Sequence, residues 1–199
     1  MIIAWDFDGV LNRNHDGRRY VWEDEFEQTF GRPAAEFGSF VFADRAPHLI
    51  AGEIDILDRL DEWVTATGMA HRPDDILATW LEMDAKPDAE MMALVEALGR
   101  AGTRQVVATN NEARRAAYIA DQMGMAARVE RVFASGPMGV AKPHPRYYSC
   151  VTAALDADPG DILFVDDKLE NVTAAMNAGW QGFHFTDQSR NDLIERLRP

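Results

Sequence analysis

From residue 87 onward, short β-rich runs alternate with stretches of helical periodicity, and this alternation restricts the fold more than any other feature. The runs are RQVVAT (104–109), VERVFAS (129–135), DILFV (161–165) and GFHFT (182–186). Between them lie helical patterns in NEARRAAYIADQMG, PRYYSCVTAALDA and KLENVTAAMNAG. Such an order predicts an α/β fold, a parallel sheet with helices on both faces. The first run, IIAW (2–5), joins the same sheet. Over residues 14–85 β-type runs nearly vanish, and aromatic-rich helical patterns such as YVWEDEFEQTF, EIDILDRLDEWVTATG and DDILATWLEM replace them. The simplest organisation is a core of residues 1–13 and 86–199 with a helical cap domain, 14–85, inserted after strand one.

A chain of 199 residues can bury one core and carry a small inserted domain. With 47% hydrophobic and 27% charged residues it reads as a soluble globular protein. No apolar stretch approaches the ~20 residues of a membrane span, and acidic residues arrive by position six, where a secretory signal would stay apolar. A cytoplasmic protein with no membrane partner is expected, as a monomer or homodimer. The single Cys150 cannot close an intrachain disulfide and reads as a small buried helix residue. A net charge of −13 argues against nucleic acid, whose phosphates are held by Lys and Arg. Lysines are only three: Lys86, Lys142 and Lys168.

The chain opens MIIAWDFDGVLN, an apolar run ending in Asp6 and Asp8. Side chains two apart on a strand share a face, so these carboxylates repel unless a positive charge joins them. Ligands of parallel α/β sheets bind beyond the carboxyl ends of the strands. Four polar clusters fall there: Asp6/Asp8, Thr109/Asn110, Lys142 within GVAKPHP, and Asp166/Asp167. Singly, each is ordinary turn, cap or loop chemistry; together and in order they converge on one crevice. Carboxylate oxygens without Cys or His suit a hard cation such as Mg²⁺.

The motifs WDFDGV (5–10), VVATNN (106–111), VAKPHP (140–145) and FVDDKLEN (164–171) resemble the four signatures of the haloacid dehalogenase-like superfamily. PDAEMMALVEALGRAG and ENVTAAMNAGW extend the resemblance to the subgroup with a helical cap after the first motif. It implies a Rossmann-like core and a phosphatase in which Asp6 is the nucleophile. Mg²⁺ would be held by Asp6, Asp166 and the Asp8 backbone carbonyl, with Asp167 holding ligand waters. Lys142, the Thr109 hydroxyl and the Asn110 backbone N–H would bind the phosphoryl oxygens. Asp8 would act as general acid and then base, and Asn171, one helical turn beyond Asp167, would either support that loop or stand as a plain helix-surface asparagine. Val10 departs from the threonine more usual at its position.

Asp8 disfavours dehalogenation, because a halide needs no proton. The absence of lysine from residues 13–85 disfavours a Schiff-base phosphonate hydrolase. Residues 13–85 hold 7 Arg against 16 Asp and Glu, a net of 7 − 16 = −9, which reads first as a solvated acidic face and otherwise leans toward a neutral leaving group such as a sugar. Substrate-contact candidates there are Arg13, Arg18, Arg19, Arg45 and His48; Trp22, Trp63 and Trp80 read as cap core. The expected substrate is a small phosphorylated molecule, by resemblance a hexose phosphate. A phosphomutase and a non-catalytic phospho-acceptor are the rival readings. An insertion of this size after strand one disfavours the latter.

Overall fold

Strand β1 (Ile2–Trp5) is buried along its whole length and lies at the centre of a five-stranded sheet. The structure, a computed structural model, describes residues 1–198. The other strands are β2 (Arg104–Thr109), β3 (Arg131–Ala134), β4 (Ile162–Asp166) and β5 (Gln181–His184). Their order is β3-β2-β1-β4-β5 and every pairing is parallel.

Alternation along the strands sorts two apolar layers. Ile3, Trp5, Val107, Leu163 and Val165 pack against Met91, Val95 and Leu98 of α6 (Ala89–Arg100) and Leu193 and Leu197 of α11 (Arg190–Leu197). Ile2, Ala4, Val106, Ala108 and Phe164 face Tyr147, Tyr148 and Val151 of α9 (Pro145–Leu155) and Ala175 of α10 (Leu169–Asn177). Helices therefore cover both faces, as the sequence pattern requires. Cys150 departs from its expected burial: it lies on α9 but is exposed, because Tyr147, Tyr148 and Val151 take that helix's inward positions.

Between β1 and α6 the chain forms helices α1 (Glu23–Phe30), α2 (Ala34–Val41), α3 (Ala46–Ile50), α4 (Ile56–Thr67) and α5 (Pro73–Asp84). These build a core of their own from Phe26, Phe37, Leu60, Trp63, Ile76 and Trp80, with Trp22 beside them. Trp22, Trp63 and Trp80 are all buried in it, in agreement with the reading as core. Two helix starts are marked in the sequence: Asp55 accepts from the Leu57 N–H at the start of α4, and Pro73 opens α5.

The chain leaves and re-enters the sheet domain along adjacent paths. Arg13 N–H donates to the Lys86 carbonyl (2.7 Å), Asp88 N–H to the Leu11 carbonyl (2.8 Å) and Lys86 N–H to Asn12 Oδ1 (2.7 Å). Helices α7 (Ala113–Asp121) and α8 (Ser135–Met138), which follow β2 and β3, form the core surface that meets the helical segment. Arg114 there forks onto Asp55 with two 2.7 Å bonds.

Candidate active site

Three strands deliver the residues of the site. Asp6 directly follows β1, Thr109 ends β2, and Asp166 ends β4 beside them. Lys142 comes from the loop between α8 and α9 and reaches back into this cluster.

The Lys142 ammonium is fully buried, 2.9 Å from Asp6 Oδ1 and 2.7 Å from Asp166 Oδ2, and it donates to the Ala108 carbonyl at 2.8 Å. Its three donors thus have three acceptors. Burial works to lower its pKa, but the charges of Asp6 and Asp166 outweigh that and raise it. Burial pushes the Asp6 carboxyl well up, opposed by Lys142 and assisted by Asp166. Asp6 Oδ1 also accepts the Phe7 N–H at 2.7 Å, which leaves Oδ2 the freer oxygen.

Asn110 and Asn171 hold this arrangement from outside. Asn110 exchanges two bonds with the Lys142 backbone, accepting its N–H at 2.9 Å and donating to its carbonyl at 2.8 Å. Its side chain thereby fixes the lysine loop, a function its sequence position gave no sign of. Asn171 donates to both Asp166 oxygens at 3.2 and 3.0 Å, the support expected of it. Thr109 is buried, and its hydroxyl accepts from Asn111 Nδ2 at 2.7 Å.

Oxygens of Asp6, Asp166 and Asp167 lie within 4.8 Å of one another. Burial, then the charge of Asp166, raises the Asp167 pKa, and its Oδ1 is buried with no hydrogen-bond partner. An orphaned buried carboxylate oxygen beside two others calls for a cation, and an all-oxygen donor set fits a hard one. Gly9 makes the approach possible: at φ +81 it takes a conformation that disfavours side chains, and a Cβ there would come 2.6 Å from Asp167 Oδ2.

Asp8 does not join this trio. Its carboxylate turns to Arg115, which reaches Asp8 Oδ1 at 2.7 Å through Nη2 and Oδ2 through Nη1. Asn12, Asn14 and Asn111 add bonds of 3.0, 3.1 and 3.2 Å. Burial would raise the Asp8 pKa, but Arg115 and the asparagine donors outweigh it and bring it down to about 2. Arg115 also pairs with the buried Asp84, which accepts from Trp22 Nε1 at 2.8 Å and Asn14 Nδ2 at 2.9 Å. Asn14, Asp84 and Arg115 lie outside the motifs, and Asn12 and Asn111, although within the quoted stretches, carry no role in the sequence reading. One signal was available: Arg115 stands four residues before Ile119 on the buried face of α7, where a guanidinium needs buried partners.

The cap candidates have other partners. Arg45 is exposed on a short turn before α3, with Asp44 at 4.0 Å, and His48 pairs with Glu53 at 2.6 Å. Arg13 pairs with Asp187 and Asp88, and Arg19 with Asp24. No hydrogen bond or ion pair joins any of these five to Asp6, Lys142 or Asp166 among the described residues; Arg18 is exposed on the turn beside Arg19.

The haloacid dehalogenase-like hydrolase family model matches residues 1–179, and the chain belongs to that family. It is 34% identical over 102 residues to a sesquiterpene phosphatase from Aspergillus oryzae, a match covering 51% of this chain and 52% of that protein. The chain spans about half or less of the length of the curated relatives it matches. A HAD family enzyme from Bacteroides thetaiotaomicron, solved with magnesium and inorganic phosphate, superposes at TM-score 0.74 with 19% identity, covering 96% of this chain and 98% of that one. The L-2-haloacid dehalogenase of Xanthobacter autotrophicus with covalently bound chloropropionic acid superposes at 0.66 with 15% identity, covering 100% and 84%. These two likenesses establish the fold; the chemistry must be argued from the site. Among the described residues, no helix is long and apolar enough to cross a membrane.

Proposed function

We propose that the protein is a Mg²⁺-dependent phosphomonoesterase that works through an aspartyl-phosphate on Asp6. The observation that carries this reading is the buried Lys142 bridging Asp6 and Asp166, next to the unpartnered oxygen of Asp167. A phosphoryl group needs positive charge on its oxygens before a carboxylate can attack it. Lys142 supplies one such charge. Asp6, Asp166 and Asp167 would hold the metal, which neutralises phosphoryl charge when bound.

Asp6 Oδ2 attacks phosphorus while the leaving oxygen departs with its electron pair; Lys142 and the Thr109 region hold the phosphoryl oxygens. Water then attacks phosphorus, the bond to Asp6 breaks, and Asp8 takes the water's proton. Held as a carboxylate by Arg115, Asp8 is ready for this base step. Protonating a leaving alkoxide requires Asp8 to gain a proton first, against that same pairing.

The segment 14–85 is read as the cap, a reading supported by the paired crossings at Leu11–Arg13 and Lys86–Asp88. Its own aromatic core and its contacts through Arg114 and Arg115 support a rigid lid over the crevice. The substrate is a small phosphomonoester; sugar phosphates are the expected class, and the name of the Aspergillus relative adds isoprenoid phosphates.

The test is phosphate release from sugar phosphates, nucleotides, phosphoglycolate and an isoprenoid monophosphate, with Mg²⁺ and with EDTA. Release by wild type in Mg²⁺ alone, absent in Asp6→Asn, is the expected result. Labelling of Asp6 by a small phosphodonor without release would favour the mutase or acceptor readings.

A further inference from the structure

Besides keeping Asp8 ionised, the buried Arg115 has a geometry that fixes how that carboxylate is aimed. The Arg115 side chain is 8% exposed, yet it forks onto a carboxylate that is 32% exposed, two residues from Asp6. Asp8 receives five donors on two oxygens: both Arg115 terminal nitrogens and the amides of Asn12, Asn14 and Asn111. A planar guanidinium fixes both the direction and the plane of a carboxylate, which an ammonium cannot do. Arg115 is in turn fixed by Asn111 Oδ1 and by Asp84, the last residue of α5. Asp84 is itself pinned by Trp22 and Asn14. So a chain of buried contacts runs from the helical segment to one side chain beside Asp6.

We propose that Arg115, held by Asp84, is the positioning residue that aims Asp8 at the water which clears the aspartyl-phosphate. The inference rests on the phosphatase reading. In that step the water oxygen bonds to phosphorus, the bond from phosphorus to Asp6 breaks, and its electron pair returns to Asp6 as carboxylate. The water proton passes to Asp8, which releases it to solvent or to the next leaving group. Neither Arg115 nor Asp84 touches the reacting atoms; they act through the angle at which Asp8 is held, and proton transfer is sensitive to that geometry.

The experiment uses p-nitrophenyl phosphate with Mg²⁺ and the full chain, because p-nitrophenolate leaves without a proton and the water step is isolated. Arg115→Lys keeps the charge and loses the fork; Asp84→Asn keeps an acceptor for Trp22 and loses the charge that holds Arg115. Arg115→Lys should lower steady-state kcat about tenfold or more and lower KM with it. In rapid mixing it should add a burst of p-nitrophenolate approaching one per active site, as the aspartyl-phosphate accumulates. Asp84→Asn should show the same signature more weakly, and the double variant should be no worse than Arg115→Lys alone. If Arg115→Lys does not fold, Asp84→Asn carries the same test.

A fall in kcat without a burst would place the damage in the first step or in the fold, and would overturn the assignment. So would unchanged kinetics, or two losses that simply add. Wild type releasing no product from this ester or from any of the panel would overturn the phosphatase reading, and this inference with it.

Discussion

Two carboxylates two residues apart at the end of β1 meet two different cations. Asp6 shares the ammonium of Lys142 with Asp166, wholly inside the sheet domain, whereas Asp8 shares the guanidinium of Arg115 with Asp84, across to the helical segment. An ammonium is a compact charge whose donors can be redistributed as a phosphoryl group arrives. The guanidinium is a rigid fork that permits one orientation of its partner. The first pair is therefore suited to exchanging ligands, and the second to holding a side chain still.

Variants at these two cations test that contrast most sharply. Lys142→Met leaves Asp6 and Asp166 as unpaired buried carboxylates and removes a charge from the phosphoryl oxygens; kcat for phosphate release should fall by about 10² to 10³. Arg115→Met strands Asp8 and Asp84, and should cost about 3 to 5 kcal/mol of stability in a denaturant titration. A cost near that of an exposed pair would show that the second cluster is no more than a surface contact.

Smaller effects probe how each pair is supported. Trp22→Phe removes one donor from Asp84, a bond to a buried charge worth about 1.5 to 3 kcal/mol, read from the same titration. The acid limb of stability isolates Asp8. Its folded pKa of about 2 lies below the ordinary 3.8, so its contribution is complete above about pH 4 and is lost as pH falls toward 2. Asp8→Asn should remove that component from Tm measured against pH. Arg114→Ala breaks a well-formed but half-exposed pair with Asp55 and should cost under about 1 kcal/mol. It gives the baseline against which the buried Arg115 is judged.

The sheet domain is largely legible in the sequence. Helices and strands after residue 87 fall within a few residues of their sequence patterns, because a buried parallel strand and an amphipathic helix each impose a periodicity on the chain. The helical segment was legible only as helices. Arg45 and His48 lie in exposed ion pairs with Asp44 and Glu53, and a charge on a short helix has no pattern to say what it faces. Cys150 departs from its sequence reading, because its helix turns Tyr147, Tyr148 and Val151 inward instead.

What the sequence determined by itself was the gathering of Asp6, Thr109 and Asp166: parallel βα units put every strand's carboxyl end on one edge, so residues at those ends must meet, whereas Lys142 reaches them from the loop between α8 and α9 and not from a strand end. What only the tertiary structure decided was the partner of Asp8. Asp84 and Arg115 are 31 residues apart, on α5 and α7, and each looks like an ordinary helix charge until packing buries both. Their pairing is set by how the helical segment seats on the sheet domain, and no local periodicity along the chain encodes that docking.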